Sequence, residues 1–370
     1  MKKLLRTIIL LCLGIVSIEL ALGQDMNYSQ YFSAPIYYNP AFTGINTGLR
    51  ARFLFRDQWP VLPVDFKSYY FSADIGDRGL PGAGGFGIQI NSDNPGVGLI
   101  NNLQAALTIG VRIPITGFMA AQVGVKAAVL QRKVSWDDFV YTKNLDPIYG
   151  NIYQTDPPSS DINKRVVPDF AAGGILQFIN PEGTIGGNIG FAVDHLFKPD
   201  VSFLSTGTAA FPRKWIGHAD VIFSSGQGGS PAGMYSGAAS DPLRIQVGAL
   251  YQNQGETNCL EAGLNLQKFN IYIGGWYKST LTGLVNSSIV LLAGYKYRFY
   301  EGMSLGFIYS YDLQVSGALQ GTGGAHEISL VLEFENASIL GGGGRRGGGG
   351  FVPGGGGRRY GGPMECPTFY

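Results

Sequence analysis

The stretch Gly323–Phe334, GGAHEISLVLEF, constrains the fold more than any other part of the chain. Four apolar residues recur there at a strict period of two, and mostly polar residues occupy or flank the alternate positions. The apolar row is Ile328, Leu330, Leu332 and Phe334. An apolar row opposite a mostly polar row suits a strand with lipid on one side and a wet lumen on the other. We therefore predict that this strand closes a transmembrane β-barrel against a first strand near residues 49–57.

Similar alternating segments, separated by turn residues, recur along the preceding chain. Together they number about fourteen, an even number, with a spacing that suits barrel strands of about ten residues. The candidates are residues 49–57, 66–74, 84–91, 101–112, 117–131, 168–178, 185–194, 215–224, 242–252, 257–267, 269–277, 287–299, 302–312 and 325–335. A two-sheet sandwich would need fewer strands and would not expose an apolar band. The predicted fold class is all-β, an antiparallel transmembrane barrel.

The lengths of the connections predict the orientation of the barrel. Bacterial barrels have short periplasmic turns and long external loops. With both chain ends in the periplasm, the excursions 132–167, 196–214 and 312–324 lie outside, and short turns such as Gln267–Lys268 lie inside. Residues 225–241 do not fit, because this connection is long where a short one is expected. One strand is therefore open to a miscount there.

The N-terminus has the pattern of a secretory signal. Lys2, Lys3 and Arg6 precede an apolar run, and Ala21-Leu22-Gly23 supplies the small residues of a cleavage site. We predict a signal peptide at residues 1–23, with Gln24 as the first mature residue. The mature chain divides into a lead-in or plug (24–48), the barrel (49–335) and a flexible periplasmic tail (336–370).

Composition excludes several classes of protein. The 370 residues include only 14% charged residues but 12% aromatic residues and 56 glycines, which fits a barrel better than a cytosolic enzyme. After cleavage 24 basic and 25 acidic residues remain, so nothing favours a nucleic-acid partner. No later stretch has the roughly 18 apolar residues of a spanning helix. An exported, mildly apolar chain of this kind is either periplasmic or crosses the outer membrane as a barrel, and the alternating strands favour a barrel surrounded by outer-membrane lipid.

Residues 30–44, QYFSAPIYYNPAFTG, have no clear strand period and contain two prolines. Asn39-Pro40 and Thr43-Gly44 mark turns. Five of the fifteen residues are aromatic, which is unusual for a linker. We predict an ordered lead-in or plug here.

Two regions are candidates for binding other proteins. The first is the longest external loop, because aromatic residues among polar ones are typical of interface cores. Its candidates are Trp136, Phe139, Tyr141, Tyr149 and Tyr153. A loop that folds back into the lumen is an equally open interpretation.

The second candidate region is the tail. Its glycine-rich part, from Gly341, behaves as a flexible tether. Arg358 and Arg359 are available to acidic groups, and the chain then ends ECPTFY. A passive tether has no need of two terminal aromatic residues, so we predict a docking peptide that includes Cys366, Pro367, Phe369 and Tyr370.

The sequence contains little that points to catalysis, metals or cofactors. A nucleophile needs an adjacent base, and the three histidines are His195, His218 and His326. A histidine beside a carboxylate, such as His195 after Asp194, is more often a hydrogen-bonded structural residue. The chain has no metal-ligand spacing of His and Cys and no phosphate-binding loop. Cys259 and Cys366 remain after cleavage, and their positions disfavour a disulfide between them.

Several motifs in order along the mature chain resemble the PorP/SprF family of Bacteroidetes outer-membrane proteins. The N-terminal motifs are Gln30-Tyr31-Phe32, Asn39-Pro40-Ala41 with Gly44, and Arg56-Asp57-Gln58-Trp59-Pro60. The C-terminal motifs are Gly275-Trp276-Tyr277-Lys278, Gly294-Tyr295, Tyr309-Ser310-Tyr311-Asp312, Gly324–Leu330 and Cys366-Pro367. The sequence departs from the family at Lys278, where members often carry arginine, and in a longer Gly/Arg tract.

The resemblance implies a component of the type IX secretion and gliding machinery. It implies partners on both sides of the outer membrane: periplasmic ring or peptidoglycan-binding components, and a secreted cargo protein, often an adhesin, with a type IX C-terminal targeting domain. The alternative is a diffusion channel or hydrophobic-solute transporter, whose working parts would be the inward polar row and the plug. Deletion of residues 341–370 distinguishes the two, because only a secretion component should lose its function.

Overall fold

A computed structural model of the chain describes residues 25–63, 66–77, 84–96, 100–136, 142–146, 148–151, 163–203, 208–225, 243–281, 286–300, 302–316, 321–334 and 337. Fourteen antiparallel strands close into one barrel, and a separate hairpin of two short strands lies within the longest loop. The predicted fold class is therefore confirmed. The predicted signal peptide and almost all of the predicted tail lie outside the described residues.

The barrel strands overlap the fourteen predicted segments one for one. They are β1 (Gly48–Gln58), β2 (Phe66–Gly76), β3 (Gly85–Pro95), β4 (Ile100–Thr116), β5 (Met119–Val134), β8 (Lys164–Ile179), β9 (Ile185–Asp194), β10 (Lys214–Ser224), β11 (Arg244–Gln254), β12 (Thr257–Lys268), β13 (Ile271–Thr280), β14 (Ser287–Tyr300), β15 (Met303–Ser316) and β16 (Ala325–Phe334). The hairpin strands are β6 (Leu145–Asp146) and β7 (Gly150–Asn151).

Each barrel strand pairs with its neighbours along the chain, and the pairing of β1 with β16 closes the barrel. That seam runs in continuous register from Leu49 opposite Phe334 to Gln58 opposite Ala325. The predicted closing strand and first strand are therefore correct.

The alternation of side chains follows the pattern expected of a membrane barrel. Along β4, Leu107, Ile109 and Val111 are exposed on the outer face, whereas Thr108 and Arg112 are buried on the inner face. His326 shares the outer face of β16 with Ile328 and packs beside Tyr311. Lipid covers the apolar face and the lumen receives the polar one.

Aromatic side chains form two belts on the outer surface, near the two ends of the strands. One belt contains Tyr69, Phe191, Trp215, Tyr251, Tyr277 and Tyr309, and the other contains Phe86, Phe118, Phe223, Tyr295, Tyr297 and Phe299. Such belts mark the two membrane–water interfaces of an outer-membrane barrel. No helix in the described part of the chain is long and apolar enough to cross a membrane.

The two ends of the barrel differ in their connections. We call the end that carries residues 135–163 and 195–213 the loop end. The opposite end, where β4 meets β5 and β12 meets β13 through short connections, is the turn end. The long connection at residues 225–243 also lies at the turn end, and its residues 226–242 are outside the described residues.

The β12–β13 turn differs from the prediction. Its central residues are Phe269 and Asn270, both with positive φ (51° and 67°), rather than Gln267 and Lys268. Positive φ at both central residues is the requirement of a tight hairpin turn with the twist of the flanking strands. Several strands also extend past their predicted bounds, as β8 does by beginning at Lys164. In these extensions the strands still pair through their backbones, but apolar and polar side chains no longer need to alternate, because lipid does not surround this part of the barrel.

Candidate functional site

The residues predicted to bind partners are described only in part. Trp136 packs edge-on against Phe203 of the β9–β10 loop, with ring centroids 6.4 Å apart. Tyr149 lies at the β6–β7 turn and is 74% exposed. The other candidates lie outside the described residues and their roles stay predictions: Phe139, Tyr141, Tyr153, Arg358, Arg359, Cys366, Pro367, Phe369 and Tyr370.

Residues 25–47, which we call the lumenal segment, run through the interior of the barrel. The segment starts at the loop end, where Asp25 contacts His195 just after β9. It reaches the turn end, where the Gly44 N–H donates to Asp74 on β2. Between these points it forms three short helical turns, Tyr31–Ser33, Pro35–Tyr38 and Pro40–Phe42.

The position of Asp25 corrects the expectation that both chain ends lie at the turn end. β16 ends at the turn end, and β1 pairs with it antiparallel over its full length, so β1 begins at the turn end. Residues 25–47 pass back through the lumen, so Asp25, the first described residue, lies at the loop end.

A charged cluster on β1, β15 and β16 holds the segment near the loop end. The Glu327 carboxylate accepts hydrogen bonds from the backbone N–H groups of Ser29 (3.0 Å) and Gln30 (2.8 Å). Arg56 pairs with Glu327 at 2.7 Å and with Asp312 at 2.8 Å. All three charged side chains are buried, so each hydrogen bond to a charge contributes more than it would in water.

A second cluster ties down the first residue of the segment. His195 lies between two carboxylates, with Nε2 2.8 Å from Asp25 and Nδ1 2.9 Å from Asp169. Burial lowers the pKa of His195, but the two carboxylates and Asp194 outweigh it and raise the pKa to about 10. Burial also acts to raise the pKa of Asp25, and the His195 charge overcomes this and holds that pKa below its ordinary value. The pair is therefore ionic at neutral pH.

This second cluster brings together groups that are common metal ligands. Ligand atoms of Asp25, Asp194 and His195 lie within 4.8 Å of one another. However, Lys126 forms an ion pair with Asp194, and the Lys214 ammonium lies 3.9 Å from Asp25. A metal would need a neutral His195 and would have to compete with both ammonium groups. The arrangement fits an ion-pair network better than a metal centre.

Tyrosines of the segment form most of its packing against the barrel wall. Tyr31 packs edge-on against Trp276 on β13 at 5.3 Å between centroids, and its hydroxyl donates to Asp220 on β10. Tyr28 packs against Tyr70 on β2 at 5.8 Å. The segment thus buries aromatic rings, and the Tyr31 hydroxyl keeps a polar partner in the wall, as tyrosine does at protein interfaces.

The part of the segment nearest the turn end lies along a row of glycines in the wall. Gly85, Gly110, Gly124 and Gly173 sit directly opposite one another on β3, β4, β5 and β8. Gly76 on β2 continues the row opposite Gly85. We call these five residues the glycine row. The row crosses the strands at right angles to their direction.

Residues 39–46 follow the glycine row, one contact per strand. A Cβ atom added at any of the five glycines would overlap the segment or the atoms packed with it. The nearest segment atoms are Asn39 Oδ1 at Gly173, the Pro40–Ala41 peptide at Gly124, Thr43 O at Gly110, Gly44 Cα at Gly85 and Asn46 O at Gly76. Glycine therefore allows the backbone of the segment to approach four strands this closely, and at Gly173 it makes room for the Asn39 side chain.

The sequence signals found only part of this site. The aromatic run and turn residues of 30–44 indicated an ordered element, and inward glycines and glutamines indicated a polar lumen. The glycine row could not be recognised, because its members are separated by 9 to 49 positions in the chain and meet only through strand register. The partners of His195 and Glu327 in the segment were also invisible for that reason.

Comparison with known families gives a match over most of the chain. The family described as "Type IX secretion system membrane protein PorP/SprF" matches residues 21–332. No curated protein matches the chain significantly.

Solved structures show only distant similarity. The CymD monoaromatic hydrocarbon channel is 9% identical with a TM-score of 0.42, covering 85% of this chain and 94% of that one. The toluene transporter TbuX from Ralstonia pickettii is 11% identical with a TM-score of 0.40, covering 82% and 92%. CdiB from Acinetobacter baumannii is 8% identical with a TM-score of 0.41; the match covers 78% of this chain but only 60% of CdiB. None of these similarities bears on function.

Proposed function

Because the chain belongs to the PorP/SprF family of type IX secretion system membrane proteins, we propose that it supports the secretion or cell-surface anchoring of a cognate secreted protein, with adhesin-like cargo. The protein resides in the outer membrane as a barrel. The proposed cargo carries a type IX C-terminal targeting domain, and the proposed periplasmic partners are ring or peptidoglycan-binding components. We assign no enzymatic activity to it.

The observation that carries this proposal is the passage of the lumenal segment through the barrel. Buried side chains of the wall bind this segment along its length, from Asp25 at one end to Gly44 at the other. A lumen occupied in this way is poorly suited to carry solutes, which argues against the diffusion channel. We therefore assign the binding of other proteins to the loop end and the turn end of the barrel.

The orientation of the barrel in the membrane supports a separate binding role for each end. Short turns face the periplasm in bacterial barrels, so the loop end faces outward. Trp136 and the exposed Tyr149 lie at that end and are available to a secreted partner. β16 ends at Phe334 at the turn end, which supports the prediction of a periplasmic tail whose docking peptide meets periplasmic components.

Purification of native complexes from outer membranes tests this function. The chain is tagged in an external loop and compared in three forms: full length, ending at Leu340, and ending at Pro363. We expect a large secreted protein and periplasmic components to co-purify with the full-length chain. Loss of the periplasmic set in both shortened forms would assign docking to the terminal seven residues.

A matched control keeps the tail length constant while the order of the last seven residues is scrambled. If the barrel purifies alone in every form, the anchoring role is wrong. Solute uptake by the same preparations in vesicles then tests the alternative, a diffusion channel or hydrophobic-solute transporter.

A further inference from the structure

The lumen of this barrel is too wide for its own side chains to fill. Barrels of about eight strands are filled by inward side chains, whereas those of 16–18 strands leave an aqueous channel. This barrel has fourteen strands, and residues 25–47 occupy its interior. The wall and the segment that fills it therefore have to be complementary, and the form of that complementarity indicates what the lumen can bind.

The first line of evidence is the shape of the wall. Glycine weakens a strand, so five glycines in one transverse row have a cost to the barrel itself. Four of them directly face one another in consecutive pairs of strands, from Gly85 to Gly173. The inward Gly306 on β15 is different, because an added Cβ there would make only ordinary contact with Val331 at 3.7 Å. The row thus coincides with the path of residues 39–46, and Gly306 lies away from that path.

The second line of evidence is that wall side chains bind the backbone of the segment. Wall carboxylates accept hydrogen bonds from its N–H groups: Glu327 from Ser29 and Gln30, and Asp74 from Gly44. Wall amides also take part: Gln254 accepts from the Asp25 N–H at 2.8 Å, and Gln122 donates to the Thr43 carbonyl at 2.8 Å. The wall therefore binds backbone groups on both sides of the helical turns, as peptide-binding sites bind the main chain of their ligands.

The third line of evidence is the chemistry of the contact surface. Its centre combines tyrosines, such as Tyr31 with its hydroxyl bonded to Asp220, with aliphatic wall residues such as Leu250 and with buried ion pairs such as Arg56 with Glu327. Tyrosines and polar groups are common in contacts between separate molecules. Because the segment and the wall both carry hydroxyl and charged groups, each of them remains compatible with water when the two are apart.

We propose that the lumen is a peptide-binding site, that residues 25–47 are its tethered ligand, and that occupancy of the site closes the pore. The ligand class is a peptide that carries an Asn-Pro-Ala-Phe-Thr-Gly turn, preceded by a tyrosine-rich stretch whose N–H groups bind a carboxylate. The same peptide supplied as a separate molecule binds the site when the tethered copy is displaced. This inference does not depend on the proposed secretion role.

The test uses the full-length protein in planar bilayers. Ala41 is fully buried and lies against Gly124, so Ala41→Trp makes the tethered ligand unable to fit while the wall stays intact. The wild-type protein should be silent, and Ala41→Trp should conduct. A synthetic peptide of residues 25–47, added from either side, should restore closure. The same peptide carrying Ala41→Trp is the control and should not.

Folding of each variant is checked by its heat-dependent mobility on gels, with Ala41→Leu as a milder change. A folded Ala41→Trp or Ala41→Leu protein that does not conduct overturns the proposal. Equal closure by the wild-type and altered peptides also overturns it, because the block would then be unspecific.

A second measurement uses a protein in which residues 39–46 and the glycine row are unaltered. Asn27→Cys in a Cys366→Ser background allows the segment to be locked to Cys259 by oxidation. A biotinylated peptide of residues 25–47, added in large excess so that it displaces the tethered copy by competition, should be captured by the reduced protein and not by the oxidised one. Equal capture in both states, or capture in neither, would show that the wall does not exchange its ligand.

Discussion

Arg56 and Glu327 face each other across the seam that closes the barrel, and Arg56 Nη1 lies 2.7 Å from Glu327 Oε2. The same carboxylate holds two backbone N–H groups of the lumenal segment. Closure of the barrel and occupation of its lumen therefore share one buried charge. Any change to this pair should affect both.

Removal of the Arg56 charge should strongly destabilise the protein. Arg56→Ala leaves two buried carboxylates, Asp312 and Glu327, without their common cation. Breaking a buried ion pair by removal of one partner costs about 3–5 kcal/mol. The temperature at which the barrel loses its compact gel mobility should fall accordingly.

Arg165→Ala is the matched control for that change. Arg165 pairs with Asp200 at 3.0 Å, but both side chains are about one-third exposed. Exposed pairs are worth about 0–1 kcal/mol, so the transition should barely move. Equal shifts for the two variants would contradict a special role of the seam cluster.

A single methyl group on the glycine row should loosen residues 39–46. Alanine normally suits a strand better than glycine, so propensity alone predicts that Gly124→Ala strengthens β5. The overlap of its Cβ with the Pro40–Ala41 peptide predicts the opposite, at an overpacking cost of about 1–3 kcal/mol. Hydrogen exchange of residues 39–46 should rise in Gly124→Ala. It should stay at the wild-type level in Gly306→Ala, and a rise in both would refute the steric explanation.

The segment should form a disulfide with the wall when a thiol is placed at position 27. Asn27 Nδ2 lies 3.2 Å from the sulfur of Cys259, which is a buried free cysteine on β12. The side chain at position 27 therefore already faces the Cys259 thiol, and the introduced sulfur, which stands one bond nearer the backbone than Nδ2, has to move toward Cys259 to reach bonding distance. Oxidation of Asn27→Cys in the Cys366→Ser background should give an intramolecular disulfide, detected by mass after proteolysis. Asn27→Cys with Cys259→Ser should give none.

Attachment of the first residues of the segment should depend on pH through His195. The pKa of His195 is raised from 6.5 to about 10, so its stabilisation is complete below about pH 6.5 and is lost as pH rises through about 10. The pKa of Asp25 is lowered, so its part is complete above its ordinary value of 3.8 and is lost at lower pH. Hydrogen exchange of residues 25–30, corrected for its intrinsic pH dependence, should therefore increase at alkaline pH.

His195→Gln supplies the control for the alkaline effect, because glutamine does not titrate. Its corrected exchange should be high and should change less than that of the wild-type protein across the same alkaline range, with the remaining change due to Lys214, whose ammonium lies 3.9 Å from Asp25. A wild-type protein whose corrected exchange is equally flat would contradict the ionic pairing of His195 with Asp25.

The mature protein should begin at Gln24. The basic residues, apolar run and small residues of 1–23 predict cleavage after Gly23. The intact mass of protein purified from outer membranes should correspond to residues 24–370. A mass that retains residues 1–23 would show that this segment is not removed.

The sequence alone determined the barrel and the family. Lipid on one face and water on the other impose a period of two, and this local rule is visible in single strands such as β4 and β16. Fourteen strands, their order and the closing seam followed from it. The predicted turn residues and strand bounds were wrong where lipid does not surround the chain, as at the β12–β13 turn and in the extended ends of β4 and β8.

The tertiary structure decided what fills the barrel. Strand register places Gly85, Gly110, Gly124 and Gly173 in one row, and it brings Glu327 to residues nearly 300 positions earlier in the chain. No local pattern encodes these meetings, because each strand satisfies its own alternation without reference to the lumenal segment. The aromatic run of 30–44 announced an ordered element, but only the closed barrel shows the path it takes and the end from which it starts.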